Sequence, residues 1–282
     1  MIALSRLAPI AATALAEFAG DAAESPRGRW DLIQRGTPIV AALDGSWLVM
    51  TAPITDAGAP RDLLARNATL PGLVKFALSA DGDVQIRAEI PMDEDSVPLI
   101  REAHGGIEAA LADIGGERCL PFEAAPAHSA SQDDLKRLCD EAGWTSAPRG
   151  DDACVVELEC PGTFLQATLA AHRGGVRVSV ELAKCEESAA DSVSAIVILM
   201  LTAGSVVRMA RPILETSEGR VIPSFEVIFS AVPTAAQLAH ALSALSVACR
   251  LCAEEVGALH DPNVAREFLA LSKTTTRKEP TT

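Results

Sequence analysis

Two stretches of this chain, roughly half its length apart, follow one pattern. They are "TLPGLVKFALSADGDVQIRAEIPM" (69–92) and "TAGSVVRMARPILETSEGRVIPSFEVIF" (202–229). Each opens on small or polar residues and runs into an alternating apolar strand. Each then turns at an acidic residue followed by glycine (Asp81-Gly82, Glu218-Gly219) and returns as a second strand. The two align in residue character, Val74-Lys75-Phe76-Ala77 with Val207-Arg208-Met209-Ala210 and Ala88-Glu89-Ile90 with Phe225-Glu226-Val227. A hairpin carried twice predicts a structural unit carried twice.

The flanking segments repeat as well. In the first half the apolar spacing predicts a helix over about 4–19 and strands over 38–43 and 46–53 joined at Asp44-Gly45, with Leu32 and Ile33 in a further strand. A short helix starts at Pro60, and after the hairpin a helix runs from near Ser96 to Ile114 and stops at Gly115-Gly116. The aperiodic stretch 115–131 reads as a linker. The pattern then restarts with "SQDD" (131–134), a capping box opening a helix that ends at Gly143. Strands over 153–160, 163–171 and 175–183 lead to a very apolar helix over about 189–202. After the hairpin, "TAAQ" (234–237) caps a long helix reaching Leu259, and "SKTTTRKEPTT" (272–282) has nothing to bury.

The fold class expected is therefore α+β. It is a tandem duplication of an α-β-β-β-α-β-β-α unit, each an antiparallel sheet with helices packed on it, the two forming a pseudo-dimer. The domains are 1–120 and 121–273, with 274–282 a mobile tail.

A unit of this order, with "LCDEAGW" (138–144), the 70–91 hairpin and a long closing helix, resembles the type III secretion chaperone-like fold. That group includes the CesT family of Tir chaperones and the YbjN-like proteins. The resemblance implies a module that binds an extended segment of a partner protein in grooves or along sheet edges, and it implies no reaction. The fusion of two units, and a very apolar middle helix in the second half only, depart from the usual pattern.

The formal net charge of -14, with no basic stripe, excludes a nucleic-acid partner. The run "SAIVILMLTAGSVV" (194–207) is shorter than the roughly 20 residues of a membrane span. No secretory leader is read in residues 1–18, and seven cysteines do not suggest a secreted disulfide framework, so a cytoplasmic protein is expected.

The chemistry-bearing residues form no signature. Cys249 and Cys252 lie in the stripe Leu238, Leu242, Leu245, Cys249, Cys252, Val256, Leu259, where a thiol packs as a small hydrophobe. Cys154 and Cys160 share one strand face, and Cys119, Cys139 and Cys185 stand alone. His104, His128, His172, His240 and His260 are scattered, and a Cys–His dyad has no local support. Gly105-Gly106 inside a helix suggests close approach of another backbone, or a helix break. Asp93-Glu94-Asp95 reads as a solvated helix start. Trp47 and Trp144 are expected in the core, with a ligand groove as the alternative.

No catalytic, cofactor or metal residues are expected. Ile196, Ile198, Leu199 and Met200 of the apolar middle helix are the candidate packing surface between the halves, or a partner site if exposed. The function expected is a non-enzymatic, chaperone-like module holding or regulating a partner protein or peptide segment, with further self-association left open. The alternative is a small-molecule sensor or enzyme using a cavity between the halves.

Overall fold

A computed structural model describes residues 2–19, 24–25, 28–55, 57–116, 130–160 and 162–275. The first half runs α1 (Ile2–Ala19), β1 (Glu24–Ser25), β2 (Arg29–Gln34), β3 (Thr37–Asp44), β4 (Trp47–Pro53), α2 (Pro60–Asn67), β5 (Val74–Leu78), β6 (Val84–Pro91) and α3 (Val97–Ile114). The second runs α4 (Gln132–Glu141), β7 (Ser146–Arg149), β8 (Ala153–Cys160), β9 (Thr163–His172), β10 (Gly175–Glu181), β11 (Cys185–Glu186), α5 (Ala190–Val206), β12 (Arg211–Ser217), β13 (Arg220–Phe229), α6 (Ala235–Ala258) and α7 (Pro262–Thr275).

The strands form two separate antiparallel sheets. The first has the order β1-β2-β3-β4-β6-β5, five full strands and the two-residue β1. In the second, β13 pairs with β12 on one edge and with β10 and β11 on the other, and β9, β8 and β7 continue from β10. Strand order and intervening helices therefore correspond: β2-β3-β4-β6-β5 with α2 and α3 in one half, β8-β9-β10-β13-β12 with α5 and α6 in the other.

Alternation sets which sheet face is buried. Trp30, Leu32, Ile39, Ala41, Leu48 and Met50 turn inward in the first sheet, while Arg29, Asp31 and Ile33 turn outward. In the second, Val176, Val178 and Val180 face in and Arg177, Ser179 and Glu181 face out. Both expected capping boxes form: Ser131 with Asp134 opens α4, and Thr234 with Gln237 opens α6. Each satisfies two backbone donors that a helix start leaves free.

The paired glycines of α3 do not break it. A Cβ on Gly106 would lie 2.6 Å from Val74 Cγ2 and 3.2 Å from the Pro71 carbonyl, whereas one on Gly105 would meet nothing within 4 Å. Close approach thus accounts for Gly106 alone. It lets the 71–74 segment lie directly against α3.

Three expectations need correction. The second hairpin does not start near 204, because α5 continues to Val206 and β12 begins at Arg211. Val206-Val207 reads locally as strand, but α5 packs across β5 and α2 of the first half through residues such as Gly204, and Val206 continues that last turn with its own side chain 70% exposed. Val207–Ala210 is consequently a connection, with Met209 in left-handed backbone (φ 62), and its alignment with Val74–Ala77 fails. α7, anticipated by no pattern, packs on α5 and carries residues 272–275 of the expected tail as helix. The rest of that tail, and 117–129 of the expected linker with Cys119 and His128, lie outside the described residues.

α6, at 24 residues, is the one described helix long and apolar enough by composition to cross a membrane. Here its stripe of Leu238, Leu242, Leu245, Cys249, Cys252 and Val256 is buried, and the helix packs against the second sheet.

Candidate functional site

The edge strands β5 and β12 face one another where the halves meet. Neither carries ladder hydrogen bonds on its outer edge, yet every residue of β5 and Arg211–Leu214 of β12 are buried. A buried strand edge needs other partners for its backbone groups. Side chains of both halves supply them, and a helix of the opposite half covers each strand. α5 of the second half packs on β5, and α2 of the first half packs on β12. Gly204 permits the approach, since a Cβ there would sit 3.0 Å from Pro212 Cγ and 3.6 Å from Ala77 Cβ.

The polar contacts are reciprocal. Lys75 on β5 donates from Nζ to the carbonyls of Val207 (2.6 Å) and Ala210 (3.1 Å), which lead into β12. Arg211 on β12 donates from Nη1 to the carbonyls of Leu70 (2.7 Å), Gly72 (3.4 Å) and Val74 (3.2 Å), which lead into β5. Asn67 at the end of α2 donates to the Phe76 and Pro212 carbonyls and accepts from Phe76 N–H, satisfying both edges at once.

Each cation also holds a buried glutamate on its neighbouring strand. Glu89 lies between Lys75 (2.9 Å) and Arg87 (2.9 Å), and its Oε2 also accepts from the Met209 N–H of the other half. Glu226 lies between Arg211 (2.6 Å) and Arg177 (2.7 Å), and Arg177 reaches on to Glu215. Lys75, Glu89, Arg211 and Glu226 are all at most 1% exposed, so the charges are almost dry. Burial lowers the ammonium of Lys75 and the guanidinium of Arg211 from their ordinary values, opposed by Glu89 and Glu226 respectively. Pairing and carbonyl acceptors are what allow such groups inside a core.

Around this centre lie further contacts between halves. Glu102 on α3 accepts from the Ser230 N–H and hydroxyl. Arg208 pairs with Asp44 and stacks over Trp47, 5.5 Å to the ring centroid, while His240 of α6 meets the same ring edge-on. Arg61 pairs with Glu187 at 2.6 Å. Trp47, expected in the core, is half-buried at this seam, and Trp144 is half-buried against the core.

Of the residues singled out in the sequence, Ile196 and Met200 are fully buried, and Ile198 and Leu199 are half-buried against the core. All four belong to α5, the helix that spans both halves. The charged centre escaped the sequence reading, although a signal exists. Lys75 in "VKFAL", Glu89 in "AEIP", Arg211 in "ARPIL" and Glu226 in "FEVIF" are single charges inside apolar strand runs.

The six described thiols are buried. Burial pushes Cys252 up to about 12, Cys139 up to about 11, and Cys249 further still. Cys185, expected to stand alone, lies 2.9 Å from His260 Nε2, but it is buried and its thiol is raised, which opposes a reactive thiolate. Among the described residues no group of three or more His, Cys, Asp or Glu side chains is placed to hold a metal ion.

Buried side chains line the seam itself. An open groove of about 550 Å³ lies elsewhere, between α4 and the β13–α6 connection, lined by Asp134, Arg137, Leu138, Glu141, Val232 and Pro233 among others. Arg137 is held on its rim by Asp134 (2.8 Å) and Glu141 (3.9 Å).

No protein-family model matches the chain, and no curated protein matches it.

Proposed function

We propose that the chain is two copies of one α+β unit joined in tandem, paired as a dimer would be, and that it works as a non-enzymatic module holding or regulating a partner polypeptide. This is the reading suggested by the likeness to type III secretion chaperones and YbjN-like proteins. Support for the copied unit comes from reciprocity. Glu89 and Glu226, and the capped carbonyls of Leu70 and Val207, stand at the same separation along the chain, and each half's middle helix covers the other's edge strand. Mutual contact of equivalent surfaces is the property of a two-fold interface.

The observation that carries the binding role is the outer face of the first sheet. Ile33 is 81% exposed there, and Val40, Ala42, Val49 and Thr51 beside it are half-exposed. The corresponding face of the second sheet is more polar, presenting Glu157, Glu159, Gln166, Thr168, Ser179 and Glu181 beside one exposed aromatic, Phe164. Val40, Ala42 and Val49 form an apolar strip bordered by Ile33 and by the exposed Arg29–Asp31 pair, and such a strip suits a polypeptide segment with an apolar side.

A photo-crosslinking side chain at Val49, with one at Glu157 as control, tests this in native cytoplasm. One polypeptide captured at position 49, not at 157, and lost in Ile33→Asp supports the role. No preference between positions, or a monomer carrying a bound metabolite, overturns it.

A further inference from the structure

We infer that the seam is a self-sufficient interface between two folded bodies, so that each half is the other's docking partner and needs no peptide bond to stay attached. The inference extends the copied-unit reading and is independent of whether any polypeptide binds the outer face.

Each half has its own sheet and its own helices, and every strand pairing lies within one half. What crosses the seam is side-chain chemistry. Separation would strand five carbonyls capped by Lys75 and Arg211, and the Pro212 carbonyl capped by Asn67. It would also free the Met209 N–H from Glu89 and the Ser230 donors from Glu102. These groups lie on apolar strands and beneath α5, which packs on α6 and α7 of its own half and on β5 and α2 of the other. An edge strand left open in this way is a site for wrong pairing, and the reciprocal cations close both edges at once. Closure takes the apolar strands β5 and β12 and one side of α5 out of water and closes charge-assisted bonds over their edges, so the contacts themselves favour the closed state and tethering only raises the local concentration.

The surfaces are also matched in character. The first half contributes β5, α2 and the 70–74 segment with Lys75, Asn67, Glu89 and Glu102. The second contributes α5, the 207–210 segment and β12 with Arg211. The partner that fits either face is the other half, from the same chain or from a second one.

The test uses the full chain with a protease recognition sequence replacing residues 120–127, cut after folding. Native mass spectrometry and gel filtration at about 1 μM then read the fragments, a concentration at which only a sub-micromolar complex survives. A 1:1 complex of the two fragments is expected, and mixing isotopically labelled with unlabelled cut protein should slowly give exchanged pairs. Lys75→Met or Arg211→Met in the cut protein should weaken association at least about thirtyfold, while Arg208→Ala changes it by less than about fivefold. Fragments that separate, self-pair or precipitate on cutting overturn the inference, and that outcome needs no variant to fold. Unchanged association in both methionine variants overturns the role given to the cations. Neither result bears on capture at Val49, so failure here and failure of the binding role are told apart.

Discussion

Replacing Arg211 with methionine is the sharpest probe of the seam, because one side chain there holds both halves. Its Nε and Nη2 donate to Glu226 Oε1 at 3.0 and 2.6 Å, and its Nη1 serves three carbonyls of the first half. Methionine fills similar space with no donor. Breaking a buried ion pair on one side costs about 3–5 kcal/mol, and each buried acceptor left unpaired about 1–3 kcal/mol. These losses overlap. Glu226 keeps Arg177, and the three carbonyls share one donor group, so a combined loss of about 4–6 kcal/mol is expected. Against a total stability of about 5–15 kcal/mol that is a large fraction. Arg208→Met is the control, since its partner Asp44 is exposed and such pairs contribute about 0–1 kcal/mol. Urea unfolding should be followed by tryptophan fluorescence, weighted to Trp30 and Trp47 of the first half, and by far-ultraviolet circular dichroism. The two signals should coincide in the parent protein and separate in Arg211→Met, as the halves lose their coupling. An Arg211→Met variant within about 1 kcal/mol of the parent, or an equal loss in Arg208→Met, would refute the reasoning.

The glycine pair gives opposite signs. Gly105→Ala has open space and should stabilise by about 0.5–1 kcal/mol, while Gly106→Ala must displace Val74 and should destabilise by about 1–3 kcal/mol, both read from urea midpoints. Glu102 gives a pH signature. Burial raises its carboxyl, against the lowering effect of Ser230 and Arg211, so its contribution is fully present below the unfolded carboxylate range and fades as pH rises through the folded value. Glu102→Gln, which still accepts from Ser230, should therefore gain in melting temperature relative to the parent between about pH 4 and about pH 7, and a relative fall would contradict this assignment. Cys249 and Cys252, buried and raised, should resist thiol reagents at about pH 8 until the protein unfolds, so rapid native labelling of either, located by peptide mass spectrometry, would show that α6 opens locally.

Much of the fold could be read in advance because its signals are local. The capping boxes at Ser131 and Thr234 need only a hydroxyl three residues before an acid or amide, and the Asp44-Gly45 turn needs only its own backbone freedom, with Gly45 at φ 63. The boundary of β12 was misplaced for the opposite reason. Val206 and Val207 favour strand by themselves, yet residue 206, though exposed, stays in the last turn of α5, a helix held by its packing on both halves. α7 was missed although its spacing is amphipathic, with Ala265 buried and Phe268 and Leu269 packed on the core. At the seam, α5 could be picked out by its apolarity, and the charges beside it show in the sequence only as single charges inside apolar runs, without their partners.

The sequence alone determined two antiparallel sheets with a matching order of helices, since period-two alternation, turn residues and caps act within a few neighbours. Only the tertiary structure decided that Lys75 and Arg211 point into the other half, because their acceptors lie more than 130 residues away along the chain. Within its own strand each is a single charge in an apolar run, with nothing nearby in sequence to say what it bonds. A buried cation takes its meaning from the carbonyls that surround it, and those are assembled only when the halves close.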